Sequence, residues 1–294
     1  MKSLVFALAL CGCAAVAHAA PARHATLPAV SPDGKRVVFL ADRDGDTSQV
    51  WVIGTDGNGS KRLTVTPGRK ETPRWSRDGK LVQYRTRQRD SLFLWSMPAT
   101  GGKPSLTAAI QARTAAWSND GRLVAYTWPA YARNKIMVGR ADGRAAVAVT
   151  DSIAGYFNIA WSPDDQQLAA TFRDTTNDLQ VWVMDADGRR GRPLTHFAST
   201  ERPQMPAWSP DGKKIALQAG PVDRSDSTKT RVHLWIVDVA TAEATEVTKG
   251  EGHADESPAW FPDGKRLAFQ SDRSGAMEIW VVNVDGSGER QITR

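Results

Sequence analysis

A pentapeptide built on Ser-Pro-Asp-Gly returns six times along the chain, and no other feature limits the fold as tightly. The copies read VSPDG from Val30, WSRDG from Trp75, WSNDG from Trp117, WSPDD from Trp161, WSPDG from Trp208 and WFPDG from Trp260, spaced between 42 and 52 residues apart. Residue types that recur at every repeat are architecture before they are chemistry, and a period in the forties is the length of one four-stranded propeller blade. After each turn comes a short apolar run such as RVVFLA or LAFQSD, then a variable polar loop, then a second apolar run such as QVWVIG or EIWVVN. Five of the six units continue with an Asp-Gly or Gly-Gly turn, and all close on an apolar residue followed by Thr64, Thr107, Thr150, Thr195, Thr248 or Thr293. Short β-branched runs bounded by Gly, Pro, Asn and Asp are strands joined by turns. No run has the length and period of an amphipathic helix.

The expected fold is all-β: a six-bladed β-propeller with four antiparallel strands per blade. Its repeats cover approximately 25–64, 70–107, 112–150, 155–195, 202–248 and 254–293 within one domain, 20–294. Pro presets φ at the second turn position, Asp suits the third, and Gly takes the left-handed conformation. Asp165 stands where the other copies have Gly and bears that conformation better than most residues would. Ten of the eleven Trp fall on two repeat positions: 75, 117, 161, 208 and 260 on the first strand, 51, 95, 182, 235 and 280 on the third. Large rings there fill the space between blades. Each motif residue thus has a structural reason to be present.

The first twenty residues follow another grammar. MKSLVFALALCGCAAVAHAA has a basic start, an apolar stretch and the small-residue site Ala17-His18-Ala19. It reads as a signal peptide over residues 1–19, too short for a transmembrane helix. The expected location is periplasmic. Leu10-Cys11-Gly12-Cys13 also resembles a lipoprotein cleavage site, with lipid anchored at Cys13 as the alternative. Both cysteines lie inside this segment, and losing Lys2 takes the formal net charge from +6 to about +5. That balance suits acidic protein or polysaccharide surfaces. An exported chain without a basic-aromatic module gives no reason to expect nucleic acid.

The strings PAWSPDGKKIALQ and PAWFPDGKRLAFQSDRSGAMEIWVVNVDGSGERQIT resemble the WD40-like Pro-Asp repeats of TolB-type six-bladed propellers. The resemblance implies a periplasmic scaffold that binds protein without catalysis, with a peptidoglycan-associated lipoprotein as the model partner. The family's α/β domain ahead of the propeller finds no counterpart between the signal and the first repeat. Similar repeats occur in the propellers of oligopeptidases and oligogalacturonate lyases. No Gly-x-Ser-x-Gly is present.

In up-and-down blades, successive hairpins lie at opposite ends. The Ser-Pro-Asp-Gly and Asp-Gly turns share one face; the second-to-third-strand loops and blade connections share the other. Binding residues concentrate on variable loops held by a rigid scaffold. The candidates are therefore Arg85, Arg87 and Arg89 in RTRQRD, and Trp128, Tyr131 and Arg133 in WPAYARNK. Tyr156 in GYFN, Arg173 in RDTTND, His196 and Arg202 in HFASTERPQ, and His253 in GEGHADE complete the set, with the polar segment 220–231 beside them. Arg85, Arg87 and Arg89 alternate, so one side of a strand end would carry a basic patch. Aromatic residues beside Arg, as around Trp128, are the composition of interface hot spots. His196 and His253 have carboxylates nearby, but no His pair has ligand spacing, so neither a metal nor a cofactor is expected. The segment DRDGD at Asp42–Asp46 lacks the closing Glu of a calcium loop and reads as a polar hairpin. The favoured reading is a monomeric, non-catalytic scaffold for an envelope protein or peptide. The alternative is a polysaccharide-binding or oligogalacturonate-lyase-like propeller using basic loops, with or without a metal.

Overall fold

The computed structural model describes residues 24–42, 47–129, 133–151, 155–221 and 231–294. The proposed signal peptide with Cys11 and Cys13, most of the DRDGD segment, Tyr131 and most of 220–231 lie outside the described residues. Repeat one supplies β1 (Ala25–Val30), β2 (Arg36–Ala41), β3 (Gln49–Gly54) and β4 (Lys61–Arg62). Repeat two supplies β5 (Lys70–Trp75), β6 (Leu81–Gln88), β7 (Ser91–Pro98) and β8 (Ser105–Gln111). Repeat three gives β9 (Ala115–Trp117), β10 (Leu123–Trp128), β11 (Lys135–Arg140) and β12 (Val147–Ala148). Repeat four gives β13 (Gly155–Trp161), β14 (Gln167–Arg173), β15 (Leu179–Asp185) and β16 (Arg192–Pro193). The fifth provides β17 (Gln204–Trp208), β18 (Lys214–Ala219), β19 (Arg231–Asp238) and β20 (Ala244–Glu246). The sixth provides β21 (His253–Trp260), β22 (Arg266–Ser271), β23 (Glu278–Asn283) and β24 (Arg290–Gln291).

The all-β reading stands, but the expectation of six separate antiparallel blades is corrected by the strand pairing. Only the first four repeats form separate four-stranded sheets; β17 to β24 form one eight-stranded sheet. Its joint is a parallel pairing of β19 with β21, Arg231 opposite His253 and Val232 opposite Ala254. Both strands run for eight residues, so their starts extend far enough to meet.

The turn motif is a closed hydrogen-bonded unit. The hydroxyls of Ser31, Ser76, Ser118, Ser162 and Ser209 donate to the Asp two positions on at 2.5–2.6 Å. The same oxygens accept the backbone N–H five positions on at 2.9 Å. These serine bonds, with backbone N–H donors beside them, outweigh desolvation and hold the five Asp carboxyls below the usual range. Where Phe261 replaces Ser, the ring is buried and Arg266 lies over it at 4.1 Å. The unit's other end is set by threonine. Oγ1 of Thr64, Thr150, Thr195, Thr248 and Thr293 accepts a third-strand N–H at 2.8–3.0 Å. That hydroxyl takes the place of a ladder carbonyl, and the fourth strands there are two or three residues long. Only β8 runs to seven residues.

The core lies between consecutive repeats. Val38, Leu40 and Val50 of the first pack on Trp75, Val82 and Tyr84 of the second, and equivalent clusters join each following pair. Burying a ring of this size contributes several times what a methyl does, which is why Trp occupies these joints. Three of the indoles also clasp the preceding repeat: Trp75 Nε1 donates to Ala29 O, Trp161 to Ala116 O and Trp260 to Ala207 O, at 2.9–3.0 Å. The last repeat meets the first through Phe261, Ile279 and Val281 against Val37 and Phe39. Ala25 N donates to Met277 O at 2.7 Å across this seam, and Arg290 Nη2 to Thr55 O at 2.7 Å. Among the described residues no strand is exchanged there: β1 pairs within its own sheet.

Candidate functional site: the central cavity

All six repeats turn their first-strand segments toward one central cavity of about 590 Å3, within the size range of small-molecule and peptide pockets. The strands do not approach it as regular ribbons. Five carry a bulge, and the bulged residue sits at positive φ: Leu27 at 52°, Thr72 at 45°, Asn158 at 50°, Met205 at 55° and Ser257 at 54°. A bulge leaves a residue outside the ladder. Pro28, Pro73, Pro206 and Pro258 follow four of these residues, and proline has no N–H to leave unpaired there.

The wall is chemically uneven. Arg74, Arg77 and Arg85 line it, and among the described residues no Asp, Glu, His, Lys or Cys does. All three belong to repeat two. At the position of Arg74 every other repeat has Ala: 29, 116, 160, 207 and 259. Arg77 stands where four repeats have Pro, and Arg85 where the others have Leu40, Thr127, Thr171, Gln218 and Gln270. Arg74 reaches into the next repeat, donating from Nη1 to Trp117 O and from Nη2 to Ser118 O at 3.2 Å. Arg85 is 8% exposed; its Nη1 donates to Ala115 O at 2.7 Å and its Nη2 to the Thr72 hydroxyl, while Nε has no partner. Burial pushes both guanidinium groups down to about 10, so they remain charged at neutral pH.

Two further departures from the repeat pattern meet at the rim. Asp165, at φ 59°, accepts from Asn119 N at 2.6 Å, Asn119 Nδ2 at 2.8 Å and Asp120 N at 2.9 Å. Asn119 replaces the usual turn proline, which has no N–H to give. The left-handed cost at Asp165 is thus offset by a bond that only these two substitutions together permit.

Elsewhere at the centre, Glu256 lies between Gln218 and Gln270, whose Nε2 atoms donate to it at 3.5 and 2.8 Å. Gln270 Oε1 in turn accepts Leu27 N at 2.8 Å. Desolvation raises the Glu256 carboxyl above its ordinary value. This carboxylate is not among the cavity-lining residues.

The loop candidates scatter. Arg85 is corrected from an exposed patch to the cavity wall, because it lies deep along β6. Arg87, nearer the strand end, pairs with Glu71 at 3.3 Å, and exposed Arg89 occupies the hairpin turn at φ 53°. Tyr156 is corrected from a surface contact to a core ring, 6% exposed and 5.1 Å from Phe172; burial raises its hydroxyl pKa. Trp128 is 45% exposed at the end of β10, and Arg133 and His196 are exposed. Arg173 lies over Phe157 at 5.3 Å and Arg202 is half-buried. His253 sits 3.6 Å from Asp255, with His233 at 6.2 Å between ring centres; His233 contacts Glu246 at 2.6 Å. Among the described residues, no group of three or more His, Cys, Asp or Glu is arranged to hold a metal ion. Arg74 and Arg77 escaped sequence reading, although aligning the six repeats on their serine would have exposed both.

The comparisons agree on the scaffold. Dipeptidyl-peptidase 5 from Porphyromonas gingivalis is 23% identical over 330 aligned positions, 90% of this chain and 47% of that protein. The chain spans less than half the length of the curated relatives it matches. TolB from Acinetobacter baumannii superposes with a TM-score of 0.68 at 20% identity, covering 91% of this chain and 62% of that one. An oligogalacturonate lyase from Vibrio parahaemolyticus superposes at 0.60 with 15% identity, covering 93% and 79%. Identities this low establish the fold alone. A family model described as the TolB beta propeller domain matches residues 19–155 and 203–294, most of the 294-residue sequence, and the chain belongs to that family.

Proposed function

We propose that this protein is an exported, non-catalytic binding scaffold that takes a segment of an envelope protein or peptide into the mouth of its central cavity. The observation that carries this reading is the cavity wall. It offers guanidinium, hydroxyl and amide groups with apolar surface and, among the described residues, none of the carboxylate, imidazole or thiol groups that serve most often as general acids, bases or nucleophiles. A few convergent polar groups in an apolar concavity are the ordinary make-up of a recognition site. The peptidase relative and the lyase neighbour make an enzymatic role the competing reading, and a peptidoglycan-associated lipoprotein is the partner that the TolB-type resemblance suggests. Periplasmic location follows from the signal-like first 19 residues; among the described residues no helix is long and apolar enough to cross a membrane. Site-specific photo-crosslinking in intact cells tests the proposal. A crosslinker at Asn119 or Pro210, on the mouth, should capture a discrete protein adduct, and one at exposed Val65, outside the lining, should not. Turnover of dipeptide or oligogalacturonate substrates by the purified chain would overturn it.

A further inference from the structure

Resting on that reading, we infer that the cavity recognises an acidic peptide segment, whose carboxylates engage the guanidinium groups of Arg77 and Arg85 beside Arg74. The six repeats act as each other's controls. A packing role for the wall is already met by Ala at the Arg74 position and by Pro, Asn, Leu, Thr or Gln at the other two. Repeat two alone places cations at all three, on one continuous side of one cavity.

These cations are not consumed by internal ion pairs. The ion pairs of the described residues join other arginines or histidines, such as Arg87 with Glu71 and Arg273 with Asp255 at 2.5 Å. Arg74 and Arg85 bond to neutral carbonyls and a hydroxyl, which orient a guanidinium without cancelling its charge. The carboxylates that act on them do so without a direct ion pair: Asp165 on Arg74, Asp120 on Arg77 and Glu71 on Arg85. Asp165 is held by Asn119 and Asp120, and Glu71 by Arg87. Arg85 Nε is buried with no partner, and an unmet buried donor is costly until something accepts from it. In a partly enclosed site, a charge-assisted bond to a carboxylate is about twice as strong as a neutral one.

Peptide fits better than saccharide. Sugar rings are held by exposed aromatic faces, but the lining indoles of Trp75, Trp117, Trp161 and Trp208 are at most 9% exposed and packed between repeats. Half-buried Trp260 packs on the cluster between repeats five and six, its Nε1 donating to Ala207 O. The rest of the wall is proline, alanine, Leu27, Val30, Ile159 and Met205, interspersed with serine and threonine hydroxyls and the amides of Asn119 and Asn158, which suits the short apolar stems of Asp and Glu and the peptide groups between them.

The test is fluorescence anisotropy on the full chain with a labelled peptide of alternating Glu and Ala, its Gln-Ala counterpart, and unlabelled tri-galacturonate as competitor. The Glu peptide should bind in a salt-sensitive manner, and the Gln peptide about tenfold more weakly. Arg77→Ala and Arg85→Gln should each weaken the Glu peptide several-fold. Arg144→Ala, which removes the same charge from an exposed turn outside the cavity, should not. If Arg85→Gln fails to fold, Arg77→Ala, on an exposed turn, still decides. Equal affinity for the two peptides overturns this inference and leaves the binding scaffold standing; so does an equal loss in Arg144→Ala. Binding of tri-galacturonate alone, read by titration calorimetry, in the absence of any peptide binding overturns the choice of peptide. No binding of either peptide, with no crosslink from the mouth in cells, overturns both readings.

Discussion

The second repeat and the last two are built on one plan and spend it differently. Nine positions after the turn serine, or its Phe261 replacement, repeats five and six carry Gln218 and Gln270, which close around Glu256 and neutralise its lone pairs with amide donors. At the same position repeat two carries Arg85, which leaves a buried cation facing the cavity with one donor unmet. The fourth strands differ too: two residues in β24 against seven in β8. What the contrast teaches is where a repeat scaffold leaves room for function. Serine, aspartate, tryptophan and threonine are fixed by turns, joints and strand ends. The positions between them tolerate Ala or Arg alike, and there one repeat can carry chemistry the others lack.

The comparison breaks most visibly if motif positions are not the ones that hold the ring. Trp208→Ala should cost about 3–5 kcal/mol through the cavity it leaves, read as a large fall in the urea midpoint. A cost below that of the repeat-two arginines would show that the joints are not where stability lies. Next in size is Arg74→Ala, which restores the residue of the other five repeats. It should cost about 2 kcal/mol, because two carbonyls of the third repeat lose a charged donor. An unchanged melting temperature would mean that Arg74 is held only for its ligand.

A double-mutant cycle on Asn119→Pro and Asp165→Gly sharpens the same contrast at the rim. Each single change breaks the shared bond, while the double variant restores the common turn. A coupling of about 1 kcal/mol is expected, and strict additivity would deny the pairing. Smaller still is the effect of Glu256→Gln. Its folded-state carboxyl is raised above 4.5 by desolvation, so its contribution is fully present below 4.5 and is lost as pH rises through the folded value. The non-titrating variant should lack that loss and match or exceed the parent at neutral pH in parallel denaturations. A variant that instead loses ground as pH rises would reverse the sign. Last, Trp128→Ala should stay within about 0.5 kcal/mol of the parent, since its ring is outside the buried core.

Much of this was legible in the linear sequence because it recurs. Strand positions, serine turns, joint tryptophans and closing threonines each appear five or six times, so local propensity and spacing agree. The parallel meeting of β19 and β21 was not legible, since it depends on how far two strand starts project across a seam. Arg85, Arg87 and Arg89 do alternate, as read. Alternation gives the side of a strand and not the depth along it, and depth is what buries Arg85 and leaves Arg89 at the turn. Asn119 and Asp165 each break the pattern in plain view, yet only ring geometry makes them partners.

The left-handed bulge residues around the cavity bear on binding thermodynamics. Non-glycine residues in that conformation are held by their surroundings at a cost of order 1–3 kcal/mol each. Leu27, Thr72, Asn158, Met205 and Ser257 are thus set by the fold before any ligand arrives. A receptor whose walls are set in advance diverts little free energy into ordering itself. Whatever enters this cavity gives up its own freedom and almost none of the protein's, so variation in affinity among ligands should track their stiffness as much as their contacts.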